Sequence, residues 1–206
     1  MAGRLVTIEG LDGAGKTTLA SALVAALAER GADAVLLREP GGVELSERLR
    51  TLVKDPGLRV GARAEALIYA AARSQLVEER VRPLLGEGRW VLLDRFVDSS
   101  LAYQGAARGL GVERVRELNR FATGGLTPDR TLLLALDPAV GRARLAGRGE
   151  QPDRLEGEDA AFFARVATAY AELAAAEPQR MRVLDAGAPE AEVLAAALAA
   201  LQDLLP

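Results

Sequence analysis

The stretch Gly10-Leu11-Asp12-Gly13-Ala14-Gly15-Lys16-Thr17-Thr18 follows the phosphate-binding spacing G-x-x-x-x-G-K-[ST]. Gly10, Gly13 and Gly15 free the backbone to curl so that successive N–H groups converge, and a helix starting there adds the positive end of its dipole. Lys16 offers a point charge for β- and γ-phosphate oxygens, and the Thr17 hydroxyl is a ligand for Mg²⁺. The chain has two lysines, Lys16 and Lys54, among 26 basic residues, so the bias toward arginine spared the loop. A second chemical signal is Trp90-Val91-Leu92-Leu93 ending in Asp94. An apolar strand followed by an acid is the Walker B arrangement, in which the carboxylate orients Mg²⁺ or its water beside the loop threonine.

Further polar groups fall where such a site needs walls. Arg38-Glu39-Pro40-Gly41-Gly42 is a turn at a strand end, and a following helix carries Arg50. In the helical region Arg63 to Leu85, Tyr69 and Arg73 stand four residues apart and share a face. They could serve a base and a phosphate. From the helix alone the simpler reading packs Tyr69 in the core and pairs Arg73 at the surface with Glu78 or a neighbour. Arg95 next to Asp94 brings positive charge to the site, and Asp98-Ser99-Ser100 with Tyr103-Gln104 continues the polar set in a loop or short helix. Arg142, Arg144, Arg148 and Arg154 lie on a segment of about 142–156 that Gly147, Gly149 and Pro152 break out of the helical pattern. Arginines on a mobile segment are what a closing lid needs to neutralise a phosphoryl group in transfer.

These residues need a scaffold of short strands alternating with helices. The apolar runs Leu5 to Glu9, Ala34 to Arg38, Trp90 to Asp94, Arg130 to Asp137 and Arg182 to Asp185 are nearly continuous, as in strands covered on both faces. Five such strands with helices between them predict a three-layer α/β fold with a five-stranded parallel sheet, ligands gathering beyond the strands' carboxyl ends. Asp159 to Ala176 reads as an amphipathic helix, and an Ala/Leu-rich helix ends near Leu205. With 206 residues, 50% of them hydrophobic, one domain with a sizeable core is expected. A net charge of −3 argues against a general nucleic-acid coat. There is no cysteine and no histidine, which excludes thiolate or imidazole metal sites and Ser-His-Asp catalysis. The absence of any long uncharged apolar run predicts a soluble, cytoplasmic protein with no membrane partner.

Taken together, Gly10 to Thr18, Arg38-Glu39-Pro40-Gly41-Gly42, Ala70-Ala71-Ala72-Arg73, Asp94-Arg95-Phe96, Ser99-Ser100-Leu101-Ala102-Tyr103-Gln104-Gly105 and Asp153-Arg154 resemble the bacterial thymidylate kinases in order and spacing, over nearly the whole chain. The resemblance implies a P-loop nucleoside monophosphate kinase fold and transfer of a phosphoryl group from ATP, with Mg²⁺, to dTMP. It implies that ATP phosphates lie on Gly10 to Thr18, with Asp12 near the transferred group. It implies an acceptor site in which the dTMP phosphate is held by Arg95 and by Arg38 or Glu39-linked groups at the second strand end, with Pro40 nearby. Arg73 and Gln104 face the thymine edge, Arg50, Ser99 and Ser100 surround the base, and Tyr103 lies against the deoxyribose. Tyr69 stands where relatives carry a phenylalanine stacked on thymine. With no arginine among Leu11, Asp12, Gly13 and Ala14, the sequence resembles members whose catalytic arginines are in the lid, here Arg148 and Arg154. A homodimer is also implied. Two other readings stay open: a kinase for another pyrimidine deoxynucleoside monophosphate, and a P-loop switch that signals to a protein partner.

Overall fold

The computed structural model describes residues 3–147 and 153–205. Five parallel strands, β1 (Arg4–Gly10), β2 (Ala34–Arg38), β3 (Trp90–Asp94), β4 (Arg130–Ala135) and β5 (Met181–Asp185), form one sheet in the order β2-β3-β1-β4-β5. Strand positions expected from the apolar runs agree to within two residues at each end. The helices α1 (Lys16–Ala28), α2 (Glu44–Lys54), α3 (Ala62–Leu76), α4 (Arg82–Gly86), α5 (Val97–Ser100), α6 (Val112–Thr123), α7 (Pro138–Ala146), α8 (Ala160–Ala176) and α9 (Glu190–Ala200) complete the three layers. The long region expected from Arg63 to Leu85 is α3 and α4 joined by a π-helical turn, Val77–Val81.

The strand period of two divides the sheet's side chains between two cores. Val6, Ile8, Leu92, Leu132 and Leu134 face α1 and α9 and pack with Leu19, Leu23, Val193 and Ala197. Leu5, Val91 and Leu93 face the opposite layer, against Leu76, Val77, Val81 and Leu84. Leu133 on that same side meets α8 through Phe163, Val166 and Tyr170. By the same alternation Thr7 and Glu9 share the face of Leu5 and are fully buried. Thr7 bonds Thr131 across to β4 at 2.7 Å. Because β1 and β2 flank β3 in register, the carboxyl ends of all three lie side by side. That edge carries the site.

Candidate active site

One cavity of about 660 Å³, within the size range of ligand sites, opens over the ends of β1, β2 and β3. Its floor is the glycine-rich loop. Gly15 in the left-handed conformation begins α1, and Gly13 (φ 80°) lies so close to α7 that a Cβ there would stand 2.4 Å from the Gly141 carbonyl oxygen. Loop and helix can cross at that distance because both residues are glycine. Gly10, Leu11 and Ala14 form the loop's buried back rather than its lining, while Asp12, Gly13, Gly15, Lys16, Thr17 and Thr18 face the cavity. Lys16 donates to the Gly10 and Leu11 carbonyls at 3.2 and 2.9 Å and lies 3.6 Å from Asp12. Burial lowers its pKa and the nearby Arg95 lowers it further, against Asp12.

Asp94 closes β3 beside the loop. The Thr17 hydroxyl donates to its Oδ2 at 3.2 Å, and its buried Oδ1 has no hydrogen-bond partner among the described residues. No cluster of three acidic side chains occurs among those residues. The protein therefore offers one carboxylate oxygen and one hydroxyl, a hard and sparse donor set that fits a Mg²⁺ whose other ligands are phosphate oxygens and water.

The turn after β3 is held open by a non-glycine residue in the left-handed region, Arg95 (φ 73°). Its backbone N–H bonds Ile8 on β1 at 3.0 Å, and its guanidinium donates to Asp12 at 2.6 Å and Ser99 at 3.0 Å while lying 5.2 Å over the Tyr103 ring. Burial alone would raise the Asp12 pKa; Arg95, then Lys16, outweigh it and hold the carboxyl well below its ordinary range. Beneath the turn lies Glu9, which no sequence motif singles out. It accepts from the Phe96 N–H at 2.7 Å, the Ser99 hydroxyl at 2.5 Å and the Tyr170 hydroxyl at 2.9 Å. Burial, then the Asp98 charge, pushes it up to about 7. An acid at period two from Thr7 in a buried strand was the available signal.

Tyr69 and Arg73 do share the cavity. Arg73 is buried, so the surface pair with Glu78 does not form. Its Nε donates to Glu39 at 2.6 Å, one terminal nitrogen bonds the Ser100 hydroxyl at 2.9 Å and the Asn119 side chain, and the other donates to the Phe96 carbonyl at 2.9 Å. Four of five N–H groups are thus engaged, leaving one for a ligand. Burial, countered by Arg73, pushes Glu39 up to about 7. Arg50 donates to the Pro40 carbonyl at 2.9 Å, placing both on the wall, and Ser99, Ser100, Tyr103 and Gln104 line the far end from α5 and the π-helical turn Leu101–Ala107.

The arginines expected on a lid are placed differently. Arg144 on α7 donates to the Gly13 and Ala186 carbonyls, at 3.3 Å each. Arg148 lies outside the described residues. Arg154 sits behind the cavity wall formed by Asp153, Leu155 and Glu156. Its Nε donates to the Val53 carbonyl at 2.8 Å and its guanidinium pairs with Glu65 at 2.8 Å, while Lys54 pairs with Asp153 at 2.5 Å.

Comparison with known proteins decides the family. The thymidylate kinase family model matches residues 8–197. The chain belongs to the thymidylate kinase family. It is 50% identical over 206 residues to the thymidylate kinase of Halorhodospira halophila, covering 99% of this chain and 96% of that one. The thymidylate kinase of Deinococcus radiodurans is also 50% identical, over 98% of this chain and 97% of its own. A crystal structure of thymidylate kinase from Ehrlichia chaffeensis superposes with a TM-score of 0.78 at 29% identity, covering 98% of this chain and all of that one. The protein is an enzyme, a kinase, on the expected P-loop α/β scaffold, and among the described residues no helix is long and apolar enough to cross a membrane.

Proposed function

We propose that this kinase transfers the γ-phosphoryl group of ATP to dTMP, giving ADP and dTDP on the way to dTTP in the cytoplasm. One observation carries the reading. A single cavity has a phosphate-gripping loop at one end and, at the other, a guanidinium beside a set of groups suited to a pyrimidine: Tyr69, one spare N–H of Arg73, and Gln104. Lys16 and the backbone of Gly10 to Thr18 hold the donor phosphates; Thr17 and Asp94 would hold Mg²⁺, which supplies further positive charge at the β- and γ-oxygens. Arg95 turns the acceptor phosphate toward the γ-phosphorus for in-line attack, with Asp12 orienting Arg95 and Lys16. The attacking oxygen is already anionic, so positioning and charge neutralisation carry catalysis and no strong base is required. Arg148 and Arg154, on a lid spanning about 142–156, complete the charge around the transferred group, and their closure excludes water. Tyr103 lies against the sugar, and the Tyr69 ring keeps its stacking face toward the base.

A homodimer belongs to the same reading. Exposed Leu45 and Leu52 on α2, Leu67 on α3 and Phe121 on α6, the last 89% exposed, sit on helices that pack on one another. A sedimentation mass of one chain at micromolar concentration would remove it. The reaction is tested by coupled ADP release with ATP and Mg²⁺, offering dTMP, dUMP, dCMP, dGMP and ribo-TMP in parallel. The expected result is turnover that requires dTMP. Flat acceptor dependence would sink the assignment and favour a nucleotide switch.

A further inference from the structure

Glu65 on α3 is fully buried yet lines no part of the cavity. Its Oε1 accepts from the Gln104 side-chain NH₂ at 2.8 Å and from Arg108 Nε at 3.2 Å. Its Oε2 accepts from Arg108 at 3.1 Å and pairs with Arg154 at 2.8 Å. Arg108 is in turn held by Glu158 at 2.7 Å and lies over the Phe162 ring at 4.7 Å. A carboxylate between two guanidinium groups has only lone pairs to offer a neighbouring amide. Gln104 therefore has to present its NH₂ to Glu65, and its carbonyl oxygen, which takes no hydrogen bond among the described residues, is left for the cavity that Gln104 lines.

We propose that Glu65 is a specificity-determining residue that never touches the substrate: it fixes the polarity of the Gln104 amide, so that the acceptor site takes a pyrimidine ring presenting an N–H and rejects one presenting a lone pair there. This rests on the dTMP reading above and deepens it. A glutamine amide free in a pocket turns to suit either partner, because its two ends have nearly the same shape. Thymine and uracil carry N–H at ring position 3, whereas cytosine carries an acceptor. Facing a fixed carbonyl, cytosine would set two acceptors against each other with no water to separate them, a penalty that hydrogen-bonding sites convert into large rate ratios. The same carboxylate holds Arg154, so the base reader and the lid segment meet on one anchor.

The test is Glu65→Gln, which keeps shape and removes one acceptor. Oε2 takes two guanidinium contacts and Oε1 only the longer one from Arg108 Nε, so the single new carbonyl belongs at the Oε2 position. The new NH₂ then displaces the Arg108 Nε contact and faces Gln104, whose own NH₂ must turn to the cavity. The ratio of kcat/KM for dTMP to that for dCMP should fall at least tenfold, with dCMP turnover rising in absolute terms. A purely structural role would lower both in proportion; proportional loss, or a ratio within twofold of wild type, overturns the proposal. If the variant does not fold, the wild type decides: ¹⁵N NMR of the Gln104 side-chain NH₂ should show slow hydrogen exchange with and without dTMP, and rapid exchange in the dTMP complex overturns it. A wild type with no dTMP turnover would instead bring down the substrate assignment, which the exchange measurement on the free protein does not depend on.

Discussion

The two ends of the cavity are built differently. At the end built on Arg73 and Gln104, Glu9, Glu39, Arg73, Ser100 and Gln104 are each less than 5% exposed and held by buried bonds: Arg73 to Glu39 and Ser100, Glu9 to the Phe96 N–H and Ser99, and Gln104 to Glu65. At the loop end, Thr17 is exposed, Lys16 bonds the loop's own carbonyls and Arg144 rests on Gly13. One end is held mainly by side chains bonded to each other. At the other, Lys16 and Arg144 rest on backbone carbonyls. The contrast teaches that the proposed reaction divides into separate parts: on that reading the interlocked side chains would set which acceptor fits, and the cations resting on carbonyls would serve the transfer.

Removing the group that joins the ends should have the largest effect. Arg95→Ala is expected to lower kcat/KM for dTMP by about 10²–10³-fold, the range found for lost charge-stabilising donors, while ATP affinity measured by equilibrium binding stays within a few fold. An equal loss of ATP affinity would show that the ends are not separable. Next come the lid residues. Arg148→Ala and Arg154→Ala should each lower kcat by about 10²-fold with little change in KM for dTMP. Full kcat in both would remove the lid from catalysis, and an effect confined to KM would make Arg154 a part of the acceptor wall.

The smallest effect is on stability. Glu9 is pushed up to about 7 from 4.5 by burial and then by Asp98. The folded protein thus keeps a proton on Glu9 that the unfolded chain releases from about 4.5 upward. As pH rises between these values stability falls, by an amount on the order of 3 kcal/mol, and above about 7 this group contributes no further change. Thermal melts from pH 5 to 8 should show wild type losing ground to Glu9→Gln across that window. Parallel curves would mean that Glu9 is ionised in the fold throughout.

The sequence by itself determined the scaffold and the donor loop. G-x-x-x-x-G-K-T between a β-rich run and a helical pattern is local chemistry, and buried parallel strands announce themselves by unbroken apolar runs. Asp94 and Arg95 were legible for the same reason, at a strand end adjacent in sequence. The motif spacing also named Arg73 and Gln104, but not what each is bonded to. Only the tertiary structure decided that Arg73 is buried on Glu39 and Asn119 rather than paired at the surface, that Gly141 lets α7 cross the loop, and that Glu9 and Glu65 anchor Arg95's neighbour Ser99 and Gln104 respectively. The hydrogen bonds among these contacts join residues up to 90 positions apart. A buried acid gives no local pattern that distinguishes it from a surface one; its role is set by the partners that packing delivers, because a carboxylate away from water must be met by donors wherever in the chain they come from.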